Sequence, residues 1–432
     1  MDQYDGLCAG RSATPGLKPT AGDNDLVQNR AEISDGAYAQ VVAADSVADD
    51  NSQLSQATAA RRPKVAFVGV SGQGWRTYID AIAPICHQHP DFDAVFIDLP
   101  KEVSGIGSAG VERLRRRGRV LRMARRVDAR GYLRARHIRR RLADVDPDWI
   151  HFFDHHLAHG LVSDGRRNVV PPFSVSTTGT AAARLCELDS NPIRHRFGEV
   201  HRFLRRRVRR EEHILRTAEF IACISSYAHD TLPESLKDKA FLSPFCVTPG
   251  VAAVAPVAGP ATITFIGADL ARKGGERLLQ WIREGRLAPH TVEVVTFDPQ
   301  PADTINLPGL VWHGRATNHR VRTEILPRSC VLILPTWLDS SPVALIEAAA
   351  AGVPAVVSRI RGIPDLVVDG VTGFTVAIDD DEAFIDAIHQ LCSNPELRAA
   401  MSSKARDHYH LHFTPERAST PLLDRLSLAQ RG

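Results

Sequence analysis

The sequence has few cysteines, and none of them are paired in a CxxC motif. The seven cysteines are odd in number and widely scattered along 432 residues, which argues against a disulfide framework and a zinc ribbon. No run of about 18 or more apolar residues occurs, and the first residues do not combine a basic segment with an apolar one. These absences exclude a secreted disulfide scaffold and favour a cytoplasmic protein without a spanning helix.

Lysine is also scarce, because 46 of the 53 basic residues are arginine. This bias is typical of a GC-rich genome, and it also suits bidentate contacts with anions. The charge is unevenly distributed: residues 1–60 sum to −6, residues 61–250 to +12 and residues 251–432 to −3. The middle segment is therefore expected to meet an anionic partner.

The composition, with 44% hydrophobic and 24% charged residues, is typical of a globular protein, but residues 1–60 differ from the rest of the chain. Residues 1–60 are rich in small and polar residues without periodicity, which predicts a disordered acidic tail. Residues 61–248 and 249–408 each alternate strand-like apolar runs with helical segments. This pattern predicts two doubly wound, Rossmann-like α/β domains that face a cleft. Residues 409–432 are expected to form a C-terminal helix or tail that packs back on the first domain.

Strong helix signals surround an alanine-rich segment in the second predicted domain. Ser340 and Ser341 are suitable N-cap residues, and Gly352 suits the end of the helix. A helix that begins just after Asp339 would point free N–H groups into the cleft, where a diphosphate binds well. Glu347, less than two turns into that helix, could accept hydrogen bonds from both hydroxyls of a ribose.

These residues resemble the retaining GT-B glycosyltransferases of family 4, also described as glycosyl transferases group 1. Asp339 and Glu347 have the spacing of the family's acidic residue, seven spacers and Glu, although the family usually has Glu at the first position. Residues 347–354 resemble its E-A-x-A-x-G-x-P run. Residues 265–275 resemble its strand, G-R-L loop and K-G helix start, with Ala268 where an Arg is usual. The resemblance covers about residues 61–410.

The resemblance implies that the second domain binds a nucleotide-sugar. Lys273 with Arg272 is expected to hold the diphosphate, and Asp339 the donor sugar, so that these three form the catalytic group. The leaving diphosphate gains negative charge as the glycosidic bond breaks, so fixed cations would accelerate this step without a metal or other cofactor. The predicted donor-binding residues are Glu347, Ser341, Val343, Ala344, Asp365 and Gly267.

The first domain carries weaker signals. Gly72 and Gly74 resemble the family's glycine loop, which lets backbone approach the donor phosphate or the acceptor. Thr178 stands at a strand end where the family often has a histidine. His155 or His156, at the end of another strand, is expected to line the cleft on the acceptor side. Their cluster also allows a zinc site, but no metal is predicted.

Two arginine-rich segments follow in the first domain. One runs from Arg113 to Arg141 with 14 Arg and one Asp, and the other runs from Arg194 to Arg216 with nine Arg and three Glu. Apolar residues interleave the first segment, which favours a basic amphipathic helix on an anionic membrane surface over a merely solvated helix. No recognisable nucleic-acid-binding module accompanies the arginines, so nucleic-acid binding is not predicted.

The sequence therefore predicts a metal-independent, retaining hexosyltransferase-type glycosyltransferase. It would move a sugar from a UDP- or GDP-sugar to a hydroxyl of a lipid-linked or glycan acceptor. The setting would be cell-surface polysaccharide or glycolipid biosynthesis, in the cytoplasm and at the inner face of the membrane. Two alternatives stay open: a GT-B sugar-nucleotide epimerase or hydrolase, and a non-catalytic nucleotide-sugar-binding protein. The second alternative is motivated by the altered positions Ala268, Thr178, Asp339 and Asp365, the last of which stands where the family normally has a Glu in a Gly-Gly-x-x-Glu loop. Donor base, sugar, acceptor, linkage and oligomeric state are not encoded in the spacing of these motifs.

Overall fold

The structure is a computed structural model that describes residues 61–70, 73–99, 129–159, 161–162, 171–190, 208–253 and 260–431. The predicted tail at residues 1–60, Gly72 and most of both arginine-rich segments lie outside these residues.

The first half of the described chain builds a parallel six-stranded sheet. Its strands are β1 Lys64–Val70, β2 Asp93–Leu99, β3 Trp149–Phe152, β4 Phe173–Thr177, β5 Ile221–Cys223 and β6 Ala240–Leu242, and they lie side by side in the order β2-β1-β3-β4-β5-β6. The accompanying helices are α1 Gln73–His87, α2 Ala129–Val145, α3 Ala181–Ser190, α4 Val208–Thr217, α5 Ser226–Asp230 and α6 Glu234–Lys237. Strands β3, β4 and β5 are buried at every position, as parallel strands covered on both faces are.

The second half builds another parallel six-stranded sheet. Its strands are β7 Thr262–Ile266, β8 Thr291–Val295, β9 Leu310–Gly314, β10 Val331–Leu334, β11 Ala355–Ser358 and β12 Gly373–Val376, in the order β12-β11-β10-β7-β8-β9. Its helices are α7 Gly275–Arg283, α8 Asn318–Arg320, α9 Val343–Ala351, α10 Ile363–Leu366, α11 Asp381–Ser393, α12 Pro395–His412 and α13 Pro415–Arg431. The expectation of two Rossmann-like parallel-sheet domains is confirmed.

One helix differs from its prediction. The spacing of apolar residues from His319 to Leu326 predicts a single α-helix, but α8 passes into a π-helical turn at Val321–Ile325 and a 3₁₀ turn at Leu326–Arg328. Pro327 has no backbone N–H and cannot continue a regular helix, which accounts for the tightened end.

The last helices tie the end of the chain to the first domain. Helix α13 packs against α1, and Arg431 at its end forms an ion pair of 2.9 Å with Asp91. Tyr409 in α12 is fully buried, and its hydroxyl donates a hydrogen bond of 2.8 Å to the carbonyl oxygen of Val247. The two domains are therefore bridged by side chains as well as by the chain connection.

The described part of the first arginine-rich segment forms α2. Its apolar residues Ala135, Ile138 and Leu142 are buried in the core of the first domain, whereas Arg139, Arg140 and Arg141 are exposed. This part of the segment therefore presents arginines to solvent and uses its apolar face for packing.

Candidate active site

The order of the second sheet locates a cleft before any side chain is considered. From β7 the chain moves through β8 and β9 to one edge, and from β10 it moves through β11 and β12 to the other. Strands β7 and β10 are neighbours, so the loops that follow them leave the sheet in opposite directions at a topological switch point. Ligands of doubly wound sheets bind at such a point.

Three charged side chains from these two loops meet at the switch point. The Lys273 ammonium and the Arg272 guanidinium follow β7, and both contact Oδ2 of Asp339, which follows β10. The distance from Arg272 Nη1 to this oxygen is 3.2 Å, and the same nitrogen donates 2.7 Å to the carbonyl oxygen of Leu338. The structure thus brings together all three residues predicted to form the catalytic group.

The electrostatics of this cluster keep the carboxylate ionised. Burial by itself raises the pKa of Asp339, but the charges of Lys273 and Arg272 outweigh burial and lower this pKa to about 2. Burial lowers the pKa of Lys273, and the carboxylate of Asp339 opposes that shift. Asp339 therefore holds both cations in place in the absence of a ligand.

Two glycines allow the β7 loop to turn this tightly. A Cβ at Gly267 would lie 2.9 Å from both Cβ and Cγ of Lys273, so glycine leaves room for the lysine stem. Gly274 has a φ of +80°, and a Cβ there would lie 1.9 Å from the carbonyl oxygen of Pro335 in the β10 loop. Gly274 thus lets the two loops touch.

Replacing this second glycine is expected to destabilise the fold. Gly274→Ala should lower the free energy of unfolding by about 1 to 3 kcal/mol more than Gly285→Ala, as measured by urea denaturation. Gly285 is a matched control, because its φ of +69° carries the same backbone strain but a Cβ there meets nothing within 4 Å. Equal losses in the two variants would show that the contact with Pro335 does not limit the loop.

The helix after the β10 loop presents unsatisfied polar groups. Helix α9 begins at Val343 after Pro342, and none of the described side chains caps it, so the predicted capping by Ser340 or Ser341 is wrong. A proline at the N-cap position cannot cap with its side chain, and Ser341 is one position too early. Instead, Ser341 Oγ is buried without a hydrogen-bond partner among the described residues. Gly352 ends the helix with a left-handed φ of +78°, as predicted.

Glu347, like Ser341, has a buried polar atom without a hydrogen-bond partner among the described residues. Its side chain is buried, and its Oε1 has no hydrogen-bond partner in the described part of the chain. Burial raises the pKa of Glu347 to about 7, against a smaller opposing effect of Arg322. Buried polar atoms without partners are costly, so the uncapped helix end, Ser341 and Glu347 together favour a polar ligand at this place.

A cavity of about 470 Å³ connects these groups to the first domain. From the second domain, Gly267, Lys273, Arg272, Asp339, Ser341, Val343, Ala344 and Glu347 line it. Gly74 and Thr178 line it from the first domain. A Cβ at Gly74 would lie 3.3 Å from Cγ2 of Val343, so the start of α1 faces the start of α9 across the cleft.

Three predicted site residues lie elsewhere among the described residues. Asp365 does not line the cavity, because its carboxylate accepts 2.6 Å hydrogen bonds from both the backbone N–H and the hydroxyl of Ser226 in the first domain. His155 and His156 also lie outside the cavity lining. The ring of His155 is fully buried, with its Nε2 3.4 Å from a carboxylate oxygen of Glu211.

These histidines belong to a group whose atoms are close enough to share a metal ion. The candidate ligand atoms of Asp154, His155 and His156 lie within 4.8 Å of one another. Glu211, which contacts His155, also accepts two hydrogen bonds of 2.8 and 2.9 Å from the backbone N–H of Ala181. The carboxylate is thereby engaged at the start of α3, and Glu211 does not line the cavity.

Several residues that line the cavity were not identified from the sequence. Thr296 and Phe297 follow β8, and Asn318 lies in α8 with its side chain donating to the hydroxyl of Thr77 in the first domain. Arg184 and Arg361 add two further positive charges. The rule that ligands lie beyond the carboxyl ends of strands could have indicated Thr296 and Phe297, whereas no motif marks the two arginines.

Comparison with known proteins shows that part of the chain is similar to one family of enzymes. Residues 303–408 match the family model described as Glycosyl transferases group 1. Over 94 residues the chain is 36% identical to D-inositol 3-phosphate glycosyltransferase of Saccharomonospora viridis and 32% identical to N-acetyl-alpha-D-glucosaminyl L-malate synthase of Bacillus anthracis. These matches cover 22% of this chain and 22% and 25% of those proteins, so they span about a quarter of the length of the curated relatives.

Solved structures match over a much larger part of the chain. Sucrose-phosphate synthase from Thermosynechococcus elongatus is similar with a TM-score of 0.61 and 16% identity, over 85% of this chain and 100% of that one. HepE from Anabaena in complex with UDP and glucose gives 0.57 and 13%, over 84% and 99%. The chain therefore has the two-domain fold of GT-B glycosyltransferase structures, as expected.

Among the described residues, no helix is both long enough and apolar enough to cross a membrane.

Proposed function

We propose that the protein is a retaining glycosyltransferase that uses a nucleotide-sugar donor. The observation that carries this proposal is the arrangement at the switch point: two cations held by Asp339, an uncapped helix end and a buried carboxylate without a partner, all facing one cavity. This arrangement offers cations and N–H groups to a diphosphate and a carboxylate to a diol. The match to the group 1 family model and the UDP in the HepE structure support it.

Each residue then has a defined task. Lys273 and Arg272, with the N-terminus of α9, bind the diphosphate, and Ser341 supplies its free hydroxyl to the same group. Glu347 accepts hydrogen bonds from the ribose hydroxyls. Asp339 positions the two cations and reaches toward the donor sugar. Asp365, which is engaged by Ser226, acts in this proposal by holding the two domains together and not by contacting the donor.

The reaction needs no separate base in this arrangement. The oxygen of the acceptor hydroxyl forms a bond to the anomeric carbon of the donor sugar, while the bond between that carbon and the β-phosphate oxygen breaks. The acceptor approaches from the face that the phosphate leaves, so the configuration is retained. The phosphate oxygen takes the acceptor proton. Charge that grows on the leaving diphosphate is stabilised by Lys273 and Arg272, and no metal takes part.

The acceptor is proposed to be a sugar-containing precursor at the membrane surface. The two curated relatives are named for small anionic acceptors or products, and the arginines exposed on α2 suit contact with anionic lipid. Sedimentation with anionic vesicles at low salt tests the membrane contact, which is wrong if the protein stays in the supernatant.

The first experiment is thermal stabilisation by UDP, GDP and their sugar conjugates, with and without EDTA. We expect one nucleotide to raise the melting temperature in proportion to the logarithm of its concentration over its dissociation constant. The shift should persist in EDTA, because Lys273 and Arg272 replace a metal. It should be lost in Glu347→Ala and Lys273→Ala.

The outcomes separate the alternatives. No shift with any nucleotide contradicts the proposal. A shift accompanied by conversion of the donor sugar without acceptor favours an epimerase, whereas slow release of free sugar is what a transferase without acceptor does. Binding without turnover on any acceptor pool favours a non-catalytic protein.

A further inference from the structure

A second pair of cations lines the cleft, on elements other than those that carry Lys273 and Arg272. Arg184 lies in the first turn of α3 in the first domain, and Arg361 lies between β11 and α10 in the second. Both line the 470 Å³ cavity and both are half-buried. The reaction proposed above assigns no task to either side chain.

Arg184 is held at the cavity wall with one nitrogen unsatisfied. Its Nη2 donates to Oγ1 of Thr178, which follows β4 and fixes the guanidinium against the end of that strand. Its Nε is buried and has no hydrogen-bond partner among the residues that the structure describes. A buried guanidinium N–H needs an acceptor, and a phosphate or carboxylate offers two oxygens in the geometry of the guanidinium fork.

Arg361 reaches the same cavity from the other domain. Its Nη1 donates 3.3 Å to Oγ of Ser340, and its guanidinium carbon lies 5.8 Å from the ring centroid of Tyr227 in the first domain. Tyr227 packs on Gly179, where a Cβ would lie 2.8 Å from its ring, and Gly179 is the residue next to Thr178. Arg361 therefore lies over a ring that packs on Gly179, the residue next to the Thr178 that holds Arg184.

The backbone of Arg361 adds an independent observation. Its φ is +48°, in the left-handed region that is costly for a residue with a Cβ. Strained backbone of this kind persists where the surrounding structure demands it, and it clusters at ligand sites. A glycine would relieve the strain but would remove the guanidinium from the cavity.

We propose that Arg184 and Arg361 bind an anionic group, a phosphate or a carboxylate, of the acceptor substrate. The inference rests on the proposed function, in which Lys273, Arg272 and the start of α9 already provide for the donor diphosphate. Arg184 belongs to the first domain, which faces the donor site across the cleft, and this is the side from which an acceptor enters. The site thereby selects acceptors that carry a negative charge near the reacting hydroxyl.

The test uses inorganic phosphate and acetate as probes on protein saturated with the nucleotide that binds. Ionic strength is kept constant with sodium chloride. We expect at least one probe to raise the melting temperature of the loaded wild type, with an apparent affinity lowered at least tenfold in Arg184→Gln and Arg361→Gly. Affinity for the nucleotide should stay within about threefold in both variants. Arg283→Gln is the matched control, because Arg283 is exposed, pairs with Asp303 and does not line the cavity.

Two results would overturn the inference. One is the absence of an Arg184-dependent shift with either probe. The other is a loss of nucleotide affinity in Arg184→Gln as large as that in Lys273→Met, which would assign Arg184 to the diphosphate. If neither UDP nor GDP binds, the proposed function fails separately. The probe titration is then repeated on nucleotide-free Lys273→Met, where an Arg184-dependent shift still supports the anion site and its absence rejects it.

Discussion

Lys273→Met is expected to lower the rate of nucleoside diphosphate release from the donor by about 100- to 1,000-fold, or about 3 to 4 kcal/mol of transition-state stabilisation. The methionine keeps the unbranched apolar stem of the lysine, without its terminal nitrogen, and so removes the charge that faces the leaving diphosphate. Arg272 remains 3.2 Å from Asp339, so this carboxylate keeps one partner and the fold should persist. The rate is measured as nucleotide released from the UDP- or GDP-sugar that binds, with and without an acceptor extract.

Two further variants make this result interpretable. Lys404→Met removes an exposed lysine that pairs with Asp407, and it should leave the rate unchanged. Adding Asp339→Asn to Lys273→Met removes the negative charge of a carboxylate that has lost one of its two cations. The melting temperature should therefore recover, whereas the rate should stay low. If the double variant recovered the rate, the loss would come from the uncompensated charge of Asp339 and not from the missing cation. A folded Lys273→Met within about threefold of the wild-type rate would remove Lys273 from the mechanism.

Glu347→Gln is expected to have opposite effects on stability and on donor binding. The amide keeps the shape of the side chain but cannot ionise. Binding of the nucleotide-sugar should weaken about tenfold to a hundredfold at pH 8, because hydrogen bonds from the ribose hydroxyls to a charged carboxylate are stronger than those to an amide. The ligand-free variant should instead be more stable than the wild type at pH 8, since it buries no charge without a partner.

The pH dependence of the free energy of unfolding follows from the pKa of Glu347, which is about 7 in the folded state against an ordinary value of 4.5. Between these values the folded protein holds a proton on Glu347 that the unfolded chain has lost, so the free energy of unfolding falls as pH rises through this window. In total, the free energy of unfolding of the wild type should fall by about 3 kcal/mol more than that of Glu347→Gln. Urea denaturation at pH 5, 6, 7 and 8 of both proteins measures it.

The affinity for the donor should rise with pH, whereas the free energy of unfolding falls. A ribose that donates two hydrogen bonds favours the ionised carboxylate, so affinity should rise with pH up to about 7 and then level off. The sugar conjugate is the better ligand here, since its diphosphate has no proton to lose in this range. Glu382→Gln, an exposed carboxylate that pairs with Arg286, should reproduce the wild-type profile. A flat profile in the wild type would mean that Glu347 does not meet the ribose.

Local patterns predict much of the second domain. Apolar periodicity predicts a strand at Val331–Leu334 and a helix at Gly275–Arg283, and the structure has both with these bounds, because such periodicity depends on neighbouring residues. The family resemblance predicted that Lys273, Arg272 and Asp339 act together. The structure gives the reason, since β7 and β10 are adjacent parallel strands whose following loops leave the same edge of the sheet. The predicted capping by Ser340 or Ser341 failed because the helix starts one position later, and such boundaries depend on packing.

Contacts between the domains could not be predicted. Asp365 has the sequence position of a donor ligand, but its carboxylate contacts Ser226, which is 139 residues away in the chain. His155 follows a strand as a cleft residue would, yet it is buried beside Glu211. The first outcome depends on how the two domains pack, and the second on how α4 packs against the loop after β3 within the first domain. No spacing within one segment encodes either contact.

The sequence by itself determined the two parallel-sheet domains and the chemistry of the group around Lys273, Asp339 and Glu347. These features arise from periodicity, turns and motifs that act over a few tens of residues. Only the tertiary structure decided that Oε1 of Glu347 is buried without a hydrogen-bond partner among the described residues, that Asp365 joins the domains and that Arg184 and Arg361 line one cavity. The physical reason is that burial, pKa and charge pairing are properties of an environment, and residues distant in the chain build that environment.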